Sequence, residues 1–199
     1  MTTPCPSIAD CLQFGDDYAM YENIRAHSLQ VARVSSVLYE GLVTHGTAQN
    51  IPPQELILAG ALLHDIAKTI CLKKGCRHAT VGYEICIELG YPEIADIVGQ
   101  HVILSSYNEG LYDRGQFNAA AIVYYADKRV RHEEIVSLDD RLAYIIDVYG
   151  KNDPTTIAAI RKNFSRCQSL ENYLFAHLPF AVDAIEDGVS HCTVLPNSL

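Results

Sequence analysis

At 199 residues, with 49% hydrophobic and 20% charged residues, the chain suits one soluble domain with a real core. A net charge of -9 excludes broad duplex-DNA binding, which needs a basic footprint, but not a small anionic substrate held by local cations and a metal. No apolar run reaches the roughly 18 residues of a membrane span, and the first residues lack a signal-peptide pattern, so a cytoplasmic protein is expected.

The predicted elements are helices joined by short turns. Over about 20–45, Ile24, Val31, Val34, Leu38 and Leu42 recur at steps of three and four, an apolar stripe that ends near Gly46. Pro52 and Pro53 open a second helix, expected to run from about 53 to 67. Lys73, Lys74, Gly75, Cys76 and Arg77 read as a basic loop. A helix over about 78–89 carries Val81, Ile85 and Leu89, and Pro92 starts another through Ile94, Ile97 and Val98. Residues 102–116 hold two glycines and no clear period, which marks a loop. Helices are expected again at about 117–131, at 138–149, from Asp153 and Pro154 to about 167, and at roughly 169–187.

No convincing strand series is present, so the fold class is all-α, a single-domain helical bundle. The helices at about 138–187 are expected to pack on the region 20–131. Cys5, Cys11, Cys71, Cys76, Cys86, Cys167 and Cys192 are odd in number, scattered and without a CxxC pair. They are expected as reduced thiols acting as small hydrophobes.

Polar residues recur where these helices should be apolar. His27 lies in step with Ile24, Val31 and Val34. His64 and Asp65 follow the apolar run 56–63, and His78 opens the stripe 78, 81, 85, 89. His101 follows Ile97 and Val98, and Asp127 continues the positions of Phe117, Ala120 and Tyr124. A lone core histidine is usually satisfied by a hydrogen bond. Six residues of only two ligand types on five helices call for a common cause, because buried charge is costly unless paired or bound to a metal. Imidazole and carboxylate together suit Fe, Mn, Zn or Ni.

With these residues in this order, the chain resembles the HD-domain superfamily of metal-dependent phosphohydrolases. The likeness rests on His27 within HSLQVA, His64-Asp65 within LLHDIAK and Asp127 within YYADKRV, and covers about 20–131. His78 in HATVGYEI and His101 in IVGQHV resemble subgroups that hold two metals. The resemblance implies a helical HD fold. It implies one or two divalent ions (Fe, Mn, Zn, Ni or Mg), the first on His27, His64, Asp65 and Asp127. Asp65 would bridge to a second ion on His78 and His101. One departure stands out: several two-metal subgroups carry a second histidine after the His101 position, where this chain has Val102. The GYP signature of the cyclic-di-GMP-hydrolysing subgroup is absent.

The chemistry that the resemblance implies is cleavage of a phosphate ester through a metal-activated water. The substrate class is a nucleotide or related small phosphorylated compound, with monoester and diester both open. Asp65 and Lys68 are the candidate catalytic residues. Asp65 would bridge metals and orient water, and Lys68 would contact a phosphate oxygen. Lys68, Lys73, Lys74 and Arg77 form the candidate phosphate-binding set. Lys128 and Arg129 adjoin Asp127, but helix rotation allows at most one to face the site. Tyr107 and Tyr112 could stack on a base. His45, His132, His177 and His191 lack ligand context. The alternative function is a non-catalytic nucleotide-sensing module, and the residues after about 150 are available as a homodimer surface.

Overall fold

The computed structural model describes residues 4–45 and 47–196. Gly46, the expected stop of the first long helix, lies outside them. Helix α1 (Ile8–Asp17) begins at a capping box, in which Ser7 accepts from the Asp10 backbone N–H and Asp10 accepts in return from the Ser7 N–H. It was not expected, although Ser7 and Asp10 stand at capping-box spacing. Helix α2 (Glu22–His45) is the long expected stripe, with Ile24, His27, Val31, Val34, Leu38 and Leu42 buried on one side.

Helix α3 (Gln54–Leu63) is the centre of the molecule. Ile57 through Leu63 are all buried, because α1, α2, Pro92–Gln100 (α6) and Ala119–Lys128 (α8) all pack against it. Gly60 allows the close approach of α6, since a Cβ there would stand 2.7 Å from the Ile97 side chain.

The helix expected through 67 stops at Leu63. Backbone bonds from Ile66 N–H to Leu63 and from Lys68 N–H to Asp65 close three-residue turns, so residues 64–67 wind tighter than an α-helix. Helix α4 (Lys68–Lys74) follows, so Lys73 and Lys74 occupy its last turn rather than a loop. Gly75 ends it in the left-handed region at φ 71°, returning its N–H to the Cys71 carbonyl.

That reversal brings Cys71 and Cys76 together as a disulfide, with Cα atoms 4.6 Å apart. The expectation of seven reduced thiols fails at these two. Cys5, Cys11, Cys86, Cys167 and Cys192 are free. Thiol content therefore no longer argues for a reducing compartment. No helix among the described residues is long and apolar enough to cross a membrane.

Helix α5 (His78–Glu88) packs against α6. The region 102–116 is irregular apart from a single turn, α7 (Glu109–Tyr112). Tyr112 is buried and stacked on Phe117, so it is not available for a base. Helix α8 starts at an Asn118 cap and is buried throughout. It leads into a two-stranded hairpin, β1 (Val130–Arg131) with β2 (Glu134–Ile135), in place of the last expected helical residues.

Helix α9 (Leu138–Tyr149) follows an Ser137 cap. Beyond it, the two helices expected at 153–167 and 169–187 are one, α10 (Pro154–Ala176). Phe164, Cys167, Leu170 and Leu174 keep one buried face across Gln168, which has no reason to break it. The chain leaves the helix just before Pro179, whose ring disfavours helical backbone at Leu178. A 3-10 turn (Val182–Ala184) and α11 (Ile185–Ser190) then return to α2.

Candidate metal centre

Five elements deliver the six residues to one place. His27 comes from the second turn of α2, His64 and Asp65 from the tight turn after α3, His78 from the start of α5, His101 from the end of α6 and Asp127 from the last turn of α8. Both His64 and Asp65 are enclosed, 0% and 1% exposed, because the whole stretch from Ile57 to Ala67 is buried.

The two oxygens of Asp65 divide the site. Oδ2 lies 3.4 Å from His64 Nε2, while Oδ1 lies 3.3 Å from His78 Nε2 and 3.6 Å from His101 Nε2. Two triads of ligand atoms result, His27-His64-Asp65 and Asp65-His78-His101, each with its atoms within 4.8 Å of one another. Asp127 Oδ1 adds to the first triad, 3.1 Å from His27 Nε2 and 3.8 Å from His64 Nε2.

Three of the four imidazoles are oriented by backbone carbonyls. Nδ1 of His27 pairs with the His132 carbonyl at 3.0 Å, Nδ1 of His64 with Ala61 at 2.7 Å and Nδ1 of His101 with Val98 at 2.6 Å. A backbone carbonyl can only accept, so each Nδ1 carries the proton and each Nε2 presents a lone pair inward when the ring is neutral. His64 Nε2 and Asp65 Oδ1 are fully buried with no hydrogen-bond partner. Buried polar atoms are rarely left so, because the lost hydration costs about 1–3 kcal/mol each. A donor set of imidazole nitrogens and carboxylate oxygens, turned inward and partly unpartnered, fits a divalent cation.

Local charge reinforces this. Burial opposes ionisation of Asp65, but Lys68 and His64 outweigh it and hold the carboxyl well below its usual range. Burial likewise opposes ionisation of Asp127, and Lys128, His27, His64 and Arg141 reverse it. Both carboxylates are therefore charged at neutral pH. Burial works against the His64 imidazolium, yet Asp65 and Asp127 raise its pKa. Burial lowers His101, and it pushes His78 down to about 4, with the neighbouring His101 and Lys68 adding to the shift. His78 Nε2 and His101 Nε2 stand 3.1 Å apart.

Of the expected phosphate contacts, Lys68 is at the centre, with its Nζ donating to Asp65 Oδ2 at 2.6 Å. Lys73, Lys74 and Arg77 are exposed, with no hydrogen bond or ion pair to the centre, and Lys73 Nζ lies 5.2 Å over the Tyr21 ring. Only one of the two cations after Asp127 faces the site. Lys128 Nζ donates to Asp127 Oδ2 at 2.8 Å and to the His101 carbonyl at 2.7 Å, tying the two triads together. Arg129 points away, to the Val136 carbonyl, Tyr125 and Glu171, and fastens the hairpin and α10 to α8.

Sequence reading missed Arg141, whose Nη2 lies 3.7 Å from Asp127 Oδ1, and the role of the His132 backbone, which sits at φ 56° with its carbonyl on His27. For Arg141 a signal existed. Arg141, Tyr144, Ile145 and Tyr149 follow a helical spacing that puts them on one face of α9. His132 gave none, because its contribution is a backbone atom.

A family model described as HD domain matches residues 24–132. Among curated proteins, an uncharacterized protein of Methanocaldococcus jannaschii is 29% identical over 143 residues, which cover 67% of this chain and 82% of that protein. No solved structure matches the chain significantly.

Proposed function

Because the chain belongs to the HD-domain family, a superfamily of metal-dependent phosphohydrolases, we propose that it hydrolyses a phosphate ester of a nucleotide or related small phosphorylated compound. The observation that carries this reading is Asp65, fully buried, with one oxygen turned to each of two triads of imidazole and carboxylate donors. His27, His64, Asp65 and Asp127 would hold one divalent ion, and Asp65, His78 and His101 a second. Bound there, such ions acidify water and neutralise charge on a phosphoryl group.

The protein's own part is placement and electrostatics. Asp65, negatively charged and immobilised between His64, Lys68 and the His78–His101 pair, fixes the spacing of the two triads. Lys68 is the group best placed to meet a phosphate oxygen. Its side chain is 26% exposed at the rim, and burial, which disfavours its charge, is outweighed by Asp65, so it stays protonated. Lys128 and Arg141 hold Asp127 ionised in the same way. Preorganised charge of this kind is the main lever on phosphoryl transfer.

The test is chelation, metal add-back and turnover on a panel of phosphomonoesters and phosphodiesters. Metal-dependent release of phosphate or alcohol from a member of the panel is expected. Tight, metal-dependent nucleotide binding without turnover on any member would replace this reading with a sensing module.

A further inference from the structure

A cavity of about 180 Å³ opens beside the first triad, lined by His27 and Lys68 on one side and by Arg141, Tyr144, Ile145 and Tyr149 of α9 on the other. The α9 wall lies beyond the residues that the family model matches. Arg141 is the unusual member. It is buried, and its Nε is fully enclosed with no hydrogen-bond partner. Asp127 at 3.7 Å is its one ionic contact among the described residues, too long for a hydrogen bond. Its guanidinium lies 5.4 Å from the centre of the Tyr144 ring, which steadies its plane.

A buried guanidinium without hydrogen bonds is expensive unless a ligand completes it. Asp127 does not do so here, since its Oδ1 stands 3.7 Å from the Arg141 Nη2 and its Oδ2 accepts from Lys128. A partner suited to a guanidinium on this cavity is anionic and offers several acceptors. A phosphoryl group meets both needs, and arginine's planar fork matches two of its oxygens at once.

We infer that Arg141 and Lys68 together clamp the phosphoryl group of a small phosphomonoester, whose organic part rests on Tyr144, Ile145 and Tyr149. This rests on the phosphohydrolase reading and narrows it. Two cations on one cavity favour a terminal phosphate dianion over the single charge of a diester. The volume is below the roughly 300 Å³ at which pockets for drug-sized ligands begin, so the organic part is compact. Arg141 is thus a substrate-binding residue that selects monoesters.

The experiment is titration calorimetry of the manganese-loaded protein at mildly alkaline pH with inorganic phosphate and with dimethyl phosphate, alongside metal content. Inorganic phosphate is expected to bind at least about tenfold more tightly than the singly charged diester. Arg141→Gln should lose about tenfold or more of phosphate affinity, the worth of a charged hydrogen-bond pair, at unchanged metal content. Arg141→Lys, which keeps the charge beside Asp127, should lose less, and it decides the matter if Arg141→Gln does not fold. Wild-type phosphate affinity in Arg141→Lys and Arg141→Gln, equal binding of the diester, or loss of metal from Arg141→Gln would each overturn the assignment. A wild-type chain that takes up no metal defeats the phosphohydrolase reading instead. In that case the same phosphate titration of the metal-free chain and Arg141→Gln still decides the arginine.

Discussion

On the His64 side of Asp65 the centre is closed. His27, His64 and Asp127 are buried, and a backbone carbonyl or a lysine holds each of them. On the other side, His101 is buried and held by Val98, but His78 keeps 29% of its side chain exposed and has no hydrogen bond to Nδ1. The next residue after His101 is Val102, at the surface, where a further ligand would have to stand. The closed half draws on α2, the turn after α3 and the last turn of α8, all buried there. The open half depends on a candidate ligand, His78, at the first residue of α5, fed by the Gly75 turn. A buried side chain held by a hydrogen bond has fewer ways to move than a part-exposed one at a helix start. The closed half is therefore expected to bind a metal tightly and the open half to exchange it.

The largest effect should come from the residue the two halves share. Asp65→Asn is expected to empty both triads and to lower turnover about a thousandfold or more, since metal stabilisation of a phosphoryl transition state is worth several kcal/mol. Metal analysis with steady-state kinetics measures this. Retention of either ion at full occupancy would break the bridging role. Next, His64→Ala should remove the ion of the closed half with the fold largely kept. His101→Ala should lower metal stoichiometry while leaving that ion in place, and unchanged stoichiometry would falsify the two-metal reading.

Acidification should separate the halves in a metal-dependent way. A proton competes with a metal for a histidine only near or below that histidine's pKa in the metal-free chain. Because Asp65 and Asp127 outweigh burial and raise His64, protons compete for the closed half already near neutrality, and its affinity should fall as pH drops from there. Burial lowers His101 and places His78 at about 4, so affinity in the open half should hold well below neutral pH. Metal titrations of the His64→Ala and His101→Ala chains across this range check the sign. Parallel pH profiles would contradict it.

The smallest effect concerns the turn that carries His78. Cys76→Ser breaks the bridge to Cys71, a short loop whose closure is worth about 2 kcal/mol. A modest fall in melting temperature is expected, with weaker metal binding in the open half and none lost from the closed half. A weakening confined to the closed half would contradict the link from the disulfide to the open half.

The helical periods were legible because each amphipathic stripe is local. Ile24, Val31 and Leu38 mark α2 without help from any neighbour, and Asp153 and Pro154 mark the start of α10. So were the six candidate ligand positions, since a polar residue in an apolar stripe contradicts its surroundings on the sequence itself. The break at Leu63 was not, because nothing in residues 64–67 forbids a continued helix. The division at 168 was expected where none exists, as the buried face of α10 is decided by its partners α8 and α9.

By itself the sequence determined the all-helical architecture, the membership of His27, His64, Asp65, His78, His101 and Asp127 in one group, and the HD resemblance. Periodicity and residue chemistry are properties of the chain alone. Only the tertiary structure decided which oxygen of Asp65 faces which histidines, that Lys128 and not Arg129 joins the site, that Cys71 meets Cys76, and that α9 brings Arg141 and Tyr144 over the centre. These are distances between atoms far apart along the chain, and they exist only once packing has closed the space between the helices.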